Sequence, residues 1–170
     1  MDVDFFIQRF SDNQKVISDL VGPVSEDQTR WKPKAKAWSL LEVINHLYDE
    51  ERDDFRRRLD FTFHRPGEPW PPIDPEAWVV EKKYNTRDPG ESLDLFCGER
   101  EKSLAWLADH RNADWNTTHE HPNLGVMRAG DLLASWMAHD YLHIRQLARL
   151  HYLYGESLSK PYSPAYAGGW

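Results

Sequence analysis

Apolar residues recur at helical spacing in four separate segments of this chain, and no segment alternates with the two-residue period of a half-buried strand. In the first segment, about residues 2–21, Val3, Phe6, Phe10, Ile17, Leu20 and Val21 share one stripe, and Gly22-Pro23 ends it. The second starts at Ser39, where Ser39-Leu40-Leu41-Glu42 fits a capping box, and runs to about Asp60. Its inward stripe is Leu40, Leu41, Ile44, Leu47, Tyr48, Phe55 and Leu59; Glu50, Glu51, Arg52, Asp53, Arg56, Arg57 and Arg58 are expected mostly on a solvated face. The third spans about 89–109, opened by Asp88-Pro89, and the fourth about 131–154, ended by Gly155. Pro66, Pro69, Pro71, Pro72, Pro75 and Pro89 crowd the connection over 61–89, where only a short turn at Asp74-Pro75-Glu76-Ala77-Trp78 is expected. A polar, irregular stretch over 111–130 is the other long connection. The reading is all-α, a four-helix bundle with long crossover loops, in a single domain over 1–170. A chain of 170 residues buries roughly 70% of its unfolded surface, so a metal is not needed for folding.

Charge and cysteine content narrow the function. With 28 acidic against 21 basic side chains the net charge is −7, which repels phosphate backbones and anionic lipid, so neither nucleic acid nor a membrane is an expected partner. The lone Cys97 excludes an internal disulfide and any Cys-rich zinc site, and fits a reduced, cytoplasmic setting. No apolar run approaches 18 residues, and MDVDFFIQRF lacks the basic start of a signal peptide.

The informative chemistry lies in His139-Asp140-Tyr141-Leu142-His143. Residues four apart on a helix stand one turn and about 40° apart, so both imidazoles can reach one ion. Taking Trp136 as the centre of the apolar face, both histidines fall within about 60° of it and point inward. Each ring nitrogen of a buried neutral imidazole needs a partner. A shared metal satisfies that need, and so would separate carboxylates or carbonyls in the core. Asp140 replaces the Glu of the His-Glu-x-x-His peptidase signature, which argues against a zincin. The best third ligand is His46, whose wheel position flanks the apolar stripe and predicts the rim of an open cleft. His119 and His121 read as loop residues near that cleft, while Asp49 and Glu50 are weaker carboxylate candidates. Asp140 and Gln146 are candidates for partners held behind the ligands. Trp70 and Trp78, in the Pro-rich connection, either wall a pocket or pack the loop down.

Trp38-Ser-x-x-Glu42-Val-x-x-His46-Leu, His121-Pro-x-Leu-Gly125 and Leu132-Leu-x-x-Trp136-x-x-His139-Asp-x-x-His143-x-x-Gln146 together resemble the DinB-like superfamily of metal-binding four-helix proteins. The similarity spans nearly the whole chain. By position the resemblance implies that His46, His139 and His143 bind a divalent ion, zinc or nickel by expectation. It further implies a thiol-dependent S-transferase or isomerase, with a low-molecular-weight thiol such as bacillithiol or mycothiol as cosubstrate and a small electrophile as substrate, and a homodimer. The mechanism implied is a metal-bound thiolate presented to the electrophile, with the 61–89 and 111–130 loops forming the pocket. The alternatives are a non-catalytic metal- or ligand-binding stress protein and a hydrolase using metal-activated water at the same ligands.

Overall fold

Asp2 opens helix α1 (Val3–Val21) by accepting the Phe5 N–H at 3.1 Å, and the Gly22 N–H closes it on the Ser18 carbonyl. The computed structural model describes residues 1–121 and 123–170. A short helix α2 (Glu26–Arg30) follows, capped by Ser25. Helix α3 (Leu40–Asp49) then begins at the expected capping box: the Glu42 N–H donates to Ser39 Oγ at 3.1 Å and the Ser39 N–H to Glu42 Oε2 at 2.9 Å.

The second long rod departs from the expected regular helix. A π-helical turn (Glu50–Phe55) separates α3 from α4 (Arg56–His64). Such a turn inserts a residue relative to α-helical spacing, which rotates the faces that follow it. Glu50 and Glu51, expected largely in solvent, are therefore buried, as is Asp54. The outer side of α3 is covered as well. Helix α5 (Pro75–Glu81), started by the expected Asp74 cap, and a 3-10 turn (Tyr84–Thr86) pack on it, with Val79 and Tyr84 buried. Every residue from Leu40 to Leu47 is consequently enclosed, so the helical wheel loses its power to rank faces there.

Helix α6 (Pro89–Asp109) follows an Asp88 cap. The stretch expected to be irregular contains an antiparallel hairpin, β1 (Thr118–His121) and β2 (Gly125–Arg128), with Thr118 opposite Arg128 and His121 opposite Gly125. Its sequence carries no alternating apolar face, which is why periodicity is silent there. Gly125 has φ +72°, a left-handed conformation that favours glycine. Helix α7 (Ala129–Leu158) passes through Gly155 instead of ending at it, because that glycine stays out of the left-handed region that would form a cap. None of the described helices is long and apolar enough to cross a membrane.

Helix α1 packs on α6 and α7, and the α3–α4 rod packs on the same two helices, giving a four-helix bundle with those two elements diagonal to each other. Two apolar clusters fill it. One is centred on Phe10, Phe55, Leu107, Leu133 and Trp136, the other on Ile17, Leu41, Ile44, Phe96 and Leu147. Between them each long element contributes one buried polar residue: Asn13, Glu51, Arg100 and Asp140.

Candidate metal centre

His46 comes from α3, His139 and His143 from successive turns of α7, and the packing of those two helices turns the three rings onto one point. The Nε2 atoms of His46 and His139 are 3.2 Å apart, those of His46 and His143 3.1 Å, and those of His139 and His143 3.0 Å. Among the described residues this is the only cluster of three or more His, Cys, Asp or Glu with metal-ligand spacing. His46 is buried, at 5% exposure, and not on a rim as its wheel position predicts, because α5 and the 3-10 turn cover the outer side of α3. Burial, reinforced by the neighbouring imidazoles, pushes His46 down to about 3 and His139 to about 2, and burial lowers His143 as well. All three rings are neutral at pH 7.

Three neutral imidazoles meeting nitrogen to nitrogen pose a satisfaction problem. Each ring has one N–H, so the triangle cannot be closed by hydrogen bonds without leaving lone pairs opposed or exposing buried Nδ1 atoms as orphans. His46 Nδ1 is already buried with no partner. An ion accepts all three lone pairs at once. Nitrogens roughly 2.0–2.1 Å from a common tetrahedral ion stand about 3.3–3.4 Å apart, within a few tenths of an ångström of the observed triangle. The donor set fits a divalent transition metal with a coordination position left over.

Neighbouring groups fix the rings. Gln146 Oε1 lies 2.8 Å from His143 Nδ1, where it accepts an N–H and leaves Nε2 as the bare lone pair. Trp38 packs on His46 at 4.9 Å between ring centroids and stacks parallel to His143 at 6.5 Å, while Phe55 lies 5.1 Å from His139. Asp140 is fully buried but bonds elsewhere, accepting from Arg100 at 2.7 and 2.8 Å and from Asn13 at 3.1 Å. Its charge still reaches His143 and favours that ring's protonation. The roles of Trp38 and Phe55 were not visible as ligand signals, since aromatic residues at helical spacing read first as core.

The other candidates stay outside the cluster. Asp49 is held by Arg52, Lys82 and Tyr84, and Glu50 shares its surroundings with Asp54. His119 is buried against Trp70, ring stacked on ring at 4.6 Å, with Nε2 2.7 Å from the Glu68 carbonyl oxygen. His121 Nδ1 accepts the Asn123 and Leu124 N–H groups at 3.1 Å. Trp70 thus packs its loop down, and Trp78 covers Lys82. Two cavities flank the cluster, and the 61–89 and 111–130 loops wall neither: one of about 520 Å³ lies against Trp38 and Gln146, the other, of about 560 Å³, against His143 and Gln146. Their walls come from the segment before α3, from α7 between Leu142 and Leu153, and from Trp170.

A family model of the DinB superfamily matches residues 9–147. The chain belongs to the DinB superfamily. The chain is similar to an Oceanobacillus iheyensis protein named provisionally as a metal-dependent hydrolase, 23% identical over 150 residues that cover 87% of this chain and 85% of that protein. The solved structure of YfiT from Bacillus subtilis, described as a probable metal-dependent hydrolase with an unusual four-helix bundle topology, superposes with a TM-score of 0.79 at 21% identity, covering 90% of this chain and 87% of that one. The DinB fold expected from the motifs is therefore the fold observed.

Proposed function

We propose that this chain is a metal-dependent hydrolase of small molecules, with His46, His139 and His143 holding one divalent ion. The observation that carries the reading is the triangle of Nε2 atoms 3.0–3.2 Å apart in rings that burial keeps neutral. Three neutral nitrogen ligands leave the ion its charge and an open position, where it would supply a hydroxide nucleophile near neutral pH. The chain's own residues do the rest. Gln146 holds the His143 tautomer, Trp38 and Phe55 exclude water from two sides of the ligands, and the adjoining cavities have the size of small-molecule sites. The provisional names of both relatives agree with hydrolysis.

Thiol-dependent transfer, implied by the sequence resemblance, would use the same three ligands with sulfur at the open position. The test separates the two. The zinc-loaded protein should cleave an activated ester such as p-nitrophenyl acetate without added thiol, in a way that His143→Ala abolishes, and the cobalt-loaded protein is titrated in parallel with 2-mercaptoethanol. Intense sulfur-to-cobalt charge-transfer bands together with no esterase activity would overturn hydrolysis in favour of thiol chemistry.

A further inference from the structure

Four cations of this acidic protein stand together beside the histidine cluster. Many other basic side chains are held in ion pairs, among them Lys32 with Glu42, Arg56 with Glu99, Lys82 with Asp49 and Arg100 with Asp140. Lys34, Lys36, Arg145 and Arg149 have no carboxylate partner among the described residues. All four line the two cavities that share Gln146 and Arg149, and no Asp or Glu side chain lines either cavity. In a chain of net charge −7 this leaves one strongly positive trough.

The cations come from two elements. Lys34 and Lys36 lie in the segment leading into the α3 capping box and Arg149 on α7, and the three line the same cavity. Like charges gathered around one cavity without counter-ions repel, and a bound anion between them removes the repulsion. The floor between the walls is apolar: Trp38, Leu150 and Leu153. Trp38 is also the ring packed on His46 and His143, and the second cavity is bounded by His143 itself. A ligand lying in the trough is therefore one side chain away from the three Nε2 atoms.

We infer that this trough binds a small organic anion, a carboxylate or phosphate carrying an apolar body, with the acid group between Lys34, Lys36 and Arg149 and the apolar part on Trp38 and Leu153. As the substrate class of the enzyme, the inference rests on the metal-dependent reading above; as a binding site, it stands on the cations and the cavity. A volume of about 520 Å³ suits a molecule of two or three rings' size and not a folded macromolecule.

Calorimetric titration with 1-naphthyl phosphate, 1-naphthoate and neutral 1-naphthol tests it on both metal-free and zinc-loaded protein, zinc uptake being measured separately. At low salt at least one of the two acids should bind metal-free protein at least tenfold more tightly than naphthol, and which one does so distinguishes phosphate from carboxylate. Arg149→Gln and the pair Lys34→Gln with Lys36→Gln should each remove most of that preference, Arg149→Lys should restore much of it, and circular dichroism should show unchanged helicity in all of them. Naphthol binding as tightly as both acids, or folded charge variants that bind the acids as wild type does, would overturn the inference. If wild-type protein takes up no zinc yet keeps the charge-dependent preference, the metal reading fails and the anion site stands; zinc uptake without that preference gives the reverse.

Discussion

Arg100 grips Asp140 with both terminal nitrogens, Nη1 to Oδ2 at 2.7 Å and Nη2 to Oδ1 at 2.8 Å, and Asp140 is the residue that follows His139. The same guanidinium reaches Glu51 through Nε at 2.7 Å and Nη2 at 2.9 Å, and Glu51 in turn accepts the Trp136 indole N–H at 3.1 Å. Arg100 thus ties α6, α7 and the π-helical turn of the second rod together in the layer that divides the two apolar clusters. A fully planar fork with two carboxylates fixes the rotation of α7 against that rod, and this rotation sets how His139 and His143 face His46.

Removing the fork should be severe. Arg100→Ala leaves two buried carboxylates without their cation and should destabilise the protein by about 3–5 kcal/mol, read from urea unfolding. Arg100→Lys keeps the charge but not the planar pair of contacts, so it should recover part of the stability while zinc affinity stays reduced. A lysine variant with wild-type zinc affinity would show that α7 is positioned by apolar packing alone.

The buried acids of the π-helical turn predict a pH dependence. Burial, then the charge of Asp54, with Asp49 adding to them and Arg58 opposing, pushes Glu50 up to about 9; burial also raises Asp54 despite Arg58 and the nearby His121, and Tyr84 lies within reach of Glu50. Between the ordinary carboxylate range and pH 9 the folded state keeps a proton that the unfolded chain has lost, so stability falls as pH rises through that window. Unfolding free energy should drop by roughly 1–3 kcal/mol from pH 6 to pH 9. Glu50→Gln should flatten the slope, since its amide stays neutral throughout; an unchanged slope would assign the effect to another group.

Gln146 gives a finer test of the metal site. Gln146→Leu removes the acceptor 2.8 Å from His143 Nδ1, which frees the ring to take the wrong tautomer. Zinc affinity should weaken by about 10–100-fold with little loss of helicity. Gln146→Glu, which supplies a stronger acceptor at the same position, should hold zinc at least as well as wild type.

How much of this was legible in the chain depends on what each element packs against. The His139/His143 pair could be oriented from sequence because α7 keeps one face on the bundle and the other, with Arg145 and Arg149, in solvent, so apolar spacing carries its direction. The Ser39 capping box and the Asp74 cap were legible because their signals are local. His46 was misplaced at a cleft rim because α3 is enclosed on every side, and an enclosed helix has no polar face to locate. Glu50 and Glu51 are placed in solvent by the wheel because the π-helical turn breaks the uniform period on which it depends. Glu51's partner Arg100 gives no sign in the sequence: a single arginine on α6 reads as surface until Glu51 and Asp140 are seen to converge on it. The cavity walls are not legible for a related reason: the Pro-rich connection covers α3, and the trough forms on a shorter segment, 33–38, that carries no helical or strand period.

The ligand set is open to a direct test by substitution. His143→Ala leaves two imidazoles, too few for a tight site, and should abolish stoichiometric zinc binding measured on dialysed protein, while far-UV circular dichroism stays near wild type because alanine is the better helix former and the apolar clusters are untouched. His46→Ala should lose zinc equally. Its effect on stability should exceed that of His143→Ala in the metal-free state, because His46 is the more enclosed ring and its truncation opens a cavity between Trp38 and the α7 histidines. His119→Ala should keep full zinc content but lower the unfolding midpoint, since that imidazole fills the space between Trp70 and the Glu68 carbonyl. Zinc retained by His143→Ala, or lost by His119→Ala and kept by His46→Ala, would move the metal from the bundle to the hairpin. The triangle of Nε2 atoms at 3.0–3.2 Å has no counterpart at the hairpin, where His119 Nε2 faces a carbonyl oxygen and His121 Nδ1 accepts two backbone N–H groups, and that difference in free lone pairs is why the bundle histidines are expected to hold the ion.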